Sequence, residues 1–102
     1  SDAKLPTRGS EYAAGWDLYA LEDTEVPFRQ SMKLRTGLHV AIPVGYEGQV
    51  RARSSLGSKG LILPHSIGTI DADYRGELFV LMTWIGEGGS YTVKAGERIA
   101  QM

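Results

Sequence analysis

Four short stretches of this chain carry residue types that ordinary strand-and-turn sequence does not need. The first is Ala14-Gly15-Trp16-Asp17-Leu18-Tyr19-Ala20, in which a single carboxylate sits inside an otherwise apolar run. Burying a carboxylate is expensive unless something pairs with it. Asp17 therefore reads either as a group held near a cation or water network, or as the cap of a neighbouring loop. The second is Arg51-Ala52-Arg53-Ser54-Ser55-Leu56-Gly57-Ser58-Lys59-Gly60. Open backbone N–H groups, hydroxyls and arginine forks suit a phosphate chain, and the alternative is a solvated basic turn. The G-x-x-x-x-G-K-[ST] spacing of a Walker loop is absent. The third is Gly68-Thr69-Ile70-Asp71-Ala72-Asp73-Tyr74-Arg75-Gly76-Glu77. In an extended hairpin Asp71 and Asp73 would face the same side. There they would supply a general base or hold a hydrated divalent cation; alternatively, Asp73 simply pairs with Arg75. The fourth, Gly96-Glu97-Arg98-Ile99-Ala100-Gln101-Met102, is a turn followed by a strand bearing one amide.

The elements that must position these groups are predicted to be strands. Leu38, Val40 and Ile42 alternate with His39 and Ala41, and Gln49–Arg53 and Ser90–Val93 show the same period of two. Leu78–Ile85 is almost continuously apolar, as a strand buried on both faces would be. No segment keeps helical periodicity for three turns. The best helix candidate is Ser54–Ser58, which its glycine limits to about one turn. Thirteen glycines and four prolines punctuate the chain throughout. Many short strands between such signals predict an all-β sandwich or barrel, without repeats or an internal domain boundary.

Composition narrows the function classes. At 102 residues the chain forms one core. Its 11 basic and 12 acidic residues leave a net charge of −1, so no global basic field recruits nucleic acid or anionic lipid. Zero cysteines exclude a disulfide framework, a thiolate zinc site and a cysteine nucleophile. Two well-separated histidines, His39 and His65, argue against a histidine metal cage. No apolar run approaches the ~20 residues of a membrane span. The expectation is a soluble intracellular protein, cytoplasmic or nuclear, with no membrane and no nucleic-acid partner.

Read in order, the four stretches resemble the trimeric deoxyuridine triphosphatases. The matching residues are Ala14-Gly15-x-Asp17-Leu18-x-Ala20, Arg53-Ser54-Ser55-Leu56, Gly68-x-Ile70-Asp71-x-x-Tyr74-Arg75-Gly76-Glu77 and Gly96-x-Arg98-Ile99-Ala100-Gln101. Leu5–Ser10 and Pro43–Gly48 are also typical of that family, so the resemblance covers essentially the whole chain. It implies a jelly-roll-like β domain forming a homotrimer with shared active sites. The implied reaction is magnesium-assisted hydrolysis of dUTP to dUMP and pyrophosphate, which limits uracil incorporation into DNA and supplies dUMP for thymidylate synthesis. By position, Asp71 corresponds to the base that activates the attacking water. Asp17 corresponds to the carboxylate that holds waters of a Mg²⁺ ion. Arg53, Ser54, Ser55 and Gln101 align with phosphate-binding groups, and Tyr74 with the ring under the deoxyribose. A hairpin from about His65 to Phe79, including Thr69 and Ile70, would read uracil largely through backbone groups.

Three features depart from the family pattern. His65 stands where the family usually has asparagine, and Trp84 where a small polar residue is expected. The family continues beyond the fourth motif through another strand to a glycine-rich tail, so residues 1–102 are expected to be its β domain without that strand and tail. The alternatives to hydrolysis are a weakly catalytic or non-catalytic module that binds nucleotide or protein, and, further off, a relative of the dCTP deaminases.

Overall fold

The computed structural model describes residues 2–102. It contains strands β1 (Asp17–Tyr19), β2 (Thr24–Pro27), β3 (Ser31–Arg35) and β4 (Gly48–Ala52), helix α1 (Ser54–Lys59), then β5 (Leu61–Ile62), β6 (Gly68–Ile70), β7 (Phe79–Trp84), β8 (Ser90–Val93) and β9 (Arg98–Gln101). The strands form three small sheets with orders β1-β9-β4-β6, β3-β7-β5 and β2-β8. Every strand-to-strand ladder is antiparallel. The all-β expectation is met.

The sheets enclose one core, to which Leu18 and Val26 contribute from β1 and β2, Leu34 from β3, Val50 from β4, Val80 and Met82 from β7, Val93 from β8 and Ile99 from β9. The period-two pattern of β4 buries Val50 and leaves Gln49 and Arg51 outside. In β7, central to its sheet, Val80 and Met82 through Trp84 are all buried, as the continuous apolar run predicted.

The alternating run from Leu38 to Ile42 forms no strand. The β3–β7 ladder ends at Arg35↔Phe79. Gly37 then turns through φ +72°, a region natural to glycine. The buried Thr36 hydroxyl donates to the Leu78 carbonyl at 2.6 Å and accepts the Leu38 N–H at 3.1 Å. The Leu78 N–H reaches the Leu38 carbonyl at 2.7 Å. Leu38 is buried and Val40 and Ile42 are half-buried, so the alternation reports which side chains face inward, without a ladder.

Helix α1 ends at Gly60, whose φ of 117° closes the last turn with its N–H shared between the Leu56 and Gly57 carbonyls. Gly60 also crosses Gly86 closely: a Cβ on Gly86 would lie 2.3 Å from the Lys59 carbonyl oxygen and 2.5 Å from the Trp84 ring. Trp84 is therefore part of the core. It is 6 % exposed, donates Nε1–H to the Glu87 carbonyl at 3.1 Å, and stacks 5.1 Å from Tyr91.

Candidate active site

The outer face of the four-stranded sheet carries most of the polar groups singled out by the sequence. Pairing sets Asp17 opposite Gln101, and Gln101 opposite Arg51. Directly paired residues project to the same face, so a carboxylate, an amide and a guanidinium lie in one row across β1, β9 and β4. Arg98 Nη1 approaches Asp17 Oδ2 to 3.4 Å, which pairs a carboxylate that is only 15 % exposed. Gln101 Nε2 donates to the Ala52 carbonyl at 3.3 Å. Gly15 lies against this amide; a Cβ there would sit 3.3 Å from Gln101 Oε1. Arg51 Nη2 donates to Gln49 Oε1, and Gln49 Nε2 to Glu47 Oε1, both at 2.9 Å. Gly15, Tyr46, Gln49, Arg51 and Gln101 line an open cleft of about 580 Å³.

Arg53 is the extended residue that precedes α1, and its Nη1 lies 3.4 Å from the Arg98 carbonyl. No side chain caps the helix start, where Ser54 and Ser55 are exposed. Arg53, Ser54, Ser55 and Gln101 thus gather around the β4 and β9 ends, with donors open to an anion.

A second locus forms at the other end of the sheet. Edge strand β6 pairs Thr69 with Gln49 and Ile70 with Gly48. A cleft of about 260 Å³ is lined by Lys33, His65, Thr69, Ile70 and Phe79, among others. An adjoining one of about 150 Å³ is lined by Thr69, Ile70, Asp71, Tyr74, Glu77 and Phe79. Shared walls make them one trough. His65 Nε2 lies 3.2 Å from where a Gly68 Cβ would stand, so the imidazole folds over that glycine. Lys33 Nζ sits 5.7 Å from the Phe79 ring centre.

The trough is not walled by a simple hairpin. β6 pairs with β4, and β7 with β3 and β5, so the segment expected to be a hairpin from His65 to Phe79 bridges two sheets. Nor are Asp71 and Asp73 held in an extended strand. The chain turns between them, with the Tyr74 N–H donating to the Asp71 carbonyl at 3.1 Å. Arg75 does not pair with Asp73; its Nη1 donates to the Ala72 and Tyr74 carbonyls at 2.7 and 3.1 Å. Tyr74 folds back over Gly76, and its hydroxyl donates to the Glu77 carbonyl at 2.6 Å. Asp71 is exposed, and its carboxylate has no hydrogen-bond or ion-pair partner among the described residues.

Glu77, quoted only as part of a motif, proves a structural hub. Its carboxylate receives Arg35 Nε at 3.1 Å, Arg35 Nη2 at 2.9 Å and the Gly37 N–H at 3.2 Å. The Arg35 hydrogen bonds hold its pKa below the ordinary glutamate range. His39 Nδ1 lies 2.8 Å from the Arg75 carbonyl oxygen. Arg35, Gly37 and His39 carried no sequence signal, because their partners are some forty residues away.

The two loci do not meet within one chain. Asp71 lies two strands and about four residues from Gln101 in the sheet, roughly 16 Å at ordinary strand spacing and rise. Fold and site thus define a class: a jelly-roll-like β domain with an anion-suited cluster at one end of a sheet and a small trough beside an open carboxylate at the other.

Comparison with known proteins narrows that class. The family model described as dUTPase matches residues 1–102. The chain is 49 % identical over 105 residues to a deoxyuridine 5'-triphosphate nucleotidohydrolase of Syntrophotalea carbinolica, covering 100 % of this chain and 71 % of that protein. It is 47 % identical to the enzyme of the same name from Zymomonas mobilis, covering 96 % and 67 %. Among solved structures, the dUTPase of Streptococcus mutans superposes with a TM-score of 0.89 at 34 % identity, over 99 % of this chain and 87 % of that one. A variant dUTPase of Staphylococcus bacteriophage 80alpha with dUpNHpp superposes with a TM-score of 0.91 at 28 % identity, over 99 % and 75 %. The chain belongs to the dUTPase family.

Proposed function

We propose that this chain hydrolyses dUTP to dUMP and pyrophosphate, in active sites shared between the subunits of a homotrimer. The observation that carries this reading is the Asp71 carboxylate, unpartnered at the mouth of a trough that also holds Tyr74. Residues 1–102 act as one β domain. Each site combines the Asp17, Arg53, Ser54, Ser55 and Gln101 locus of one subunit with the trough between His65 and Phe79 of another. The separation of the two loci in one chain supports that sharing.

The chemistry follows from the groups available. Uracil enters the trough along Thr69 and Ile70, with His65 and Phe79 at its walls. Tyr74 meets the sugar with its ring and leaves no room for a 2′-hydroxyl. Arg53, the Ser54 and Ser55 hydroxyls and the Gln101 amide grip the phosphates, with Arg51 and Lys59 adding positive charge nearby. A water attacks the α-phosphorus as Asp71 accepts its proton. The new oxygen–phosphorus bond gives dUMP as the bond to the bridging oxygen breaks and pyrophosphate leaves. No covalent enzyme intermediate is needed, and the work is positioning plus charge neutralisation.

Magnesium fits this donor set as an ion carried by the triphosphate. Among the described residues no group of three His, Cys, Asp or Glu side chains could hold a metal, whereas Asp17 presents one carboxylate beside the phosphate locus. Asp17 would accept hydrogen bonds from the ion's waters. When bound, the ion supplies positive charge to the polyphosphate. A structural Mg(II) ion is described for the phage phi11 dUTPase, which is 25 % identical with a TM-score of 0.90.

Mixing two inactive variants tests both the reaction and the sharing. Asp71→Asn removes one locus and Arg53→Ala the other. Co-expressed chains that share sites should regain activity in about a quarter of them, by random assembly of two half-sites. If neither single variant loses activity, the assignment of these residues fails. If both do and the mixture stays silent, sharing fails.

A further inference from the structure

We infer that Glu77 is a positioning residue for sugar selection, acting through Tyr74. The inference rests on the proposed nucleotide site and adds to it a residue that touches no substrate.

The β3–β7 ladder stops at Arg35↔Phe79, and the next backbone bond between these segments runs from the Leu78 N–H to the Leu38 carbonyl, with Thr36 and Gly37 in the gap. The Gly37 N–H needs an acceptor, and finds it in Glu77 Oε2 at 3.2 Å. The same carboxylate takes the Arg35 fork through Nε and Nη2 at 3.1 and 2.9 Å. Bidentate guanidinium–carboxylate pairing fixes both direction and distance. Glu77 is thereby fastened by three donors, with its side chain only 16 % exposed although Arg35 is about half exposed.

What is fastened is the peptide on which Tyr74 rests. The Tyr74 hydroxyl donates to the Glu77 carbonyl at 2.6 Å. Its Oη lies 2.6 Å from where a Gly76 Cβ would stand, so the ring is pressed onto the backbone between Tyr74 and Glu77. His39 holds the Arg75 carbonyl from the same side, at 2.8 Å. The ring therefore sits where the Glu77 backbone puts it, and that backbone sits where Arg35 and Gly37 hold its carboxylate. Asp71 lies at the far end of the same turn, tied through the Tyr74 N–H. Arg35 and Glu77 line a cleft of about 440 Å³ with Gly37 and His39, and Glu77 also lines the trough with Tyr74. The residue links the two surfaces.

Misplacing a positioning group by about 1 Å costs up to about a hundredfold in rate, so a shifted ring is read in the kinetics. The test measures kcat and KM for dUTP and UTP in the parent, Glu77→Ala, Glu77→Gln, Arg35→Ala and Arg35→Ala/Glu77→Ala, together with thermal midpoints. Asp23→Ala serves as a control for destabilisation, since among the described residues Asp23 binds only the Ala95 N–H and Lys94. In Glu77→Ala the dUTP/UTP ratio of kcat/KM should fall about tenfold, mostly through KM. Glu77→Gln keeps an acceptor for Gly37, and should restore part of the ratio. Arg35→Ala should mimic Glu77→Ala, and the double variant should be no worse than either. Asp23→Ala should leave the ratio unchanged. A parental ratio in Glu77→Ala, or a loss equalled by Asp23→Ala at matched stability, overturns the inference. Where Glu77→Ala fails to fold, Glu77→Gln and Arg35→Ala decide it by the same ratio. If the parent itself does not hydrolyse dUTP, the functional reading has failed, and proton NMR then decides the placement. Tyr74 ring contacts to Gly76 that persist unchanged in Glu77→Gln and Arg35→Ala would show that the clasp does not hold the ring.

Discussion

Asp17 and Gln101 face each other directly across the β1–β9 pairing, so a carboxylate and an amide share one spot on the sheet. Gln101→Glu would set two carboxylates opposite each other, a like-charge pair costing about 0.2–1 kcal/mol. The larger effect falls on an incoming polyanion. The expected outcome is a KM for dUTP raised about tenfold or more, with folding stability lowered by ~1 kcal/mol or less. Steady-state kinetics beside a urea titration would check it.

Asp71→Asn keeps the shape of the turn but removes the proposed proton acceptor. Turnover of dUTP should fall by about two to four orders of magnitude, the usual share of general-base catalysis. The affinity for dUpNHpp, measured by calorimetry, should change far less. Near-parental turnover would exclude Asp71 as the base.

Tyr74→Ala opens the floor of the trough and removes the hydroxyl that rests on Glu77. Both dUTP and UTP should bind more weakly through lost ring contact, and the preference for dUTP should shrink. Competition assays with the two nucleotides give the ratio directly; an unaltered ratio would move sugar selection to another residue.

The ion pair of Glu77 makes an acid-side prediction. A carboxyl whose acidity is strengthened by folding stabilises the native state above its unfolded pKa of about 4.3. That contribution is lost as pH falls through the lower folded value. The parent should therefore melt at a higher temperature than Glu77→Gln from pH 5 to 8, with the gap closing below about pH 4. Calorimetric scans across that range would show it, and a gap independent of pH would assign the difference to packing.

Gly86→Ala places a methyl group against the Lys59 carbonyl and the Trp84 ring at separations of 2.3 and 2.5 Å. Overpacking against fixed backbone costs about 1–3 kcal/mol, occasionally more. Denaturant midpoints should drop accordingly, whereas Gly88→Ala tests a different cost, that of φ 85° in open space.

Much of this architecture was legible because burial imposes a period of two. The β4, β7 and β8 runs declared themselves, as did the short helix, expected over Ser54–Ser58 and found over Ser54–Lys59. The Leu38–Ile42 run misled because alternation records which side chains face the core, whereas a ladder also needs a partner in register. Gly37 and the Thr36 hydroxyl redirect the chain just there. The motifs drew attention to Asp17, Arg53, Asp71, Tyr74 and Gln101, which the fold sorts into two loci, yet local spacing misplaced Asp73 and Arg75, since a turn at Ala72–Asp73 reorients the residues after it. The Arg35–Glu77 clasp was invisible for a simpler reason. Its members lie 42 positions apart, and each looks like an ordinary surface charge until the fold brings them together.

The two tryptophans differ sharply in their surroundings. Trp84 is 6 % exposed between Gly86 and Tyr91, while Trp16 is 48 % exposed, beside Asp17 and under Arg8. The molecule consequently carries two optical reporters with separate duties. A water-soluble collisional quencher reaches Trp16 and spares Trp84, so the shielded emission follows the integrity of the core. The accessible emission follows events at the Asp17 end of the sheet, and nucleotide titrations can be read there without attaching a label.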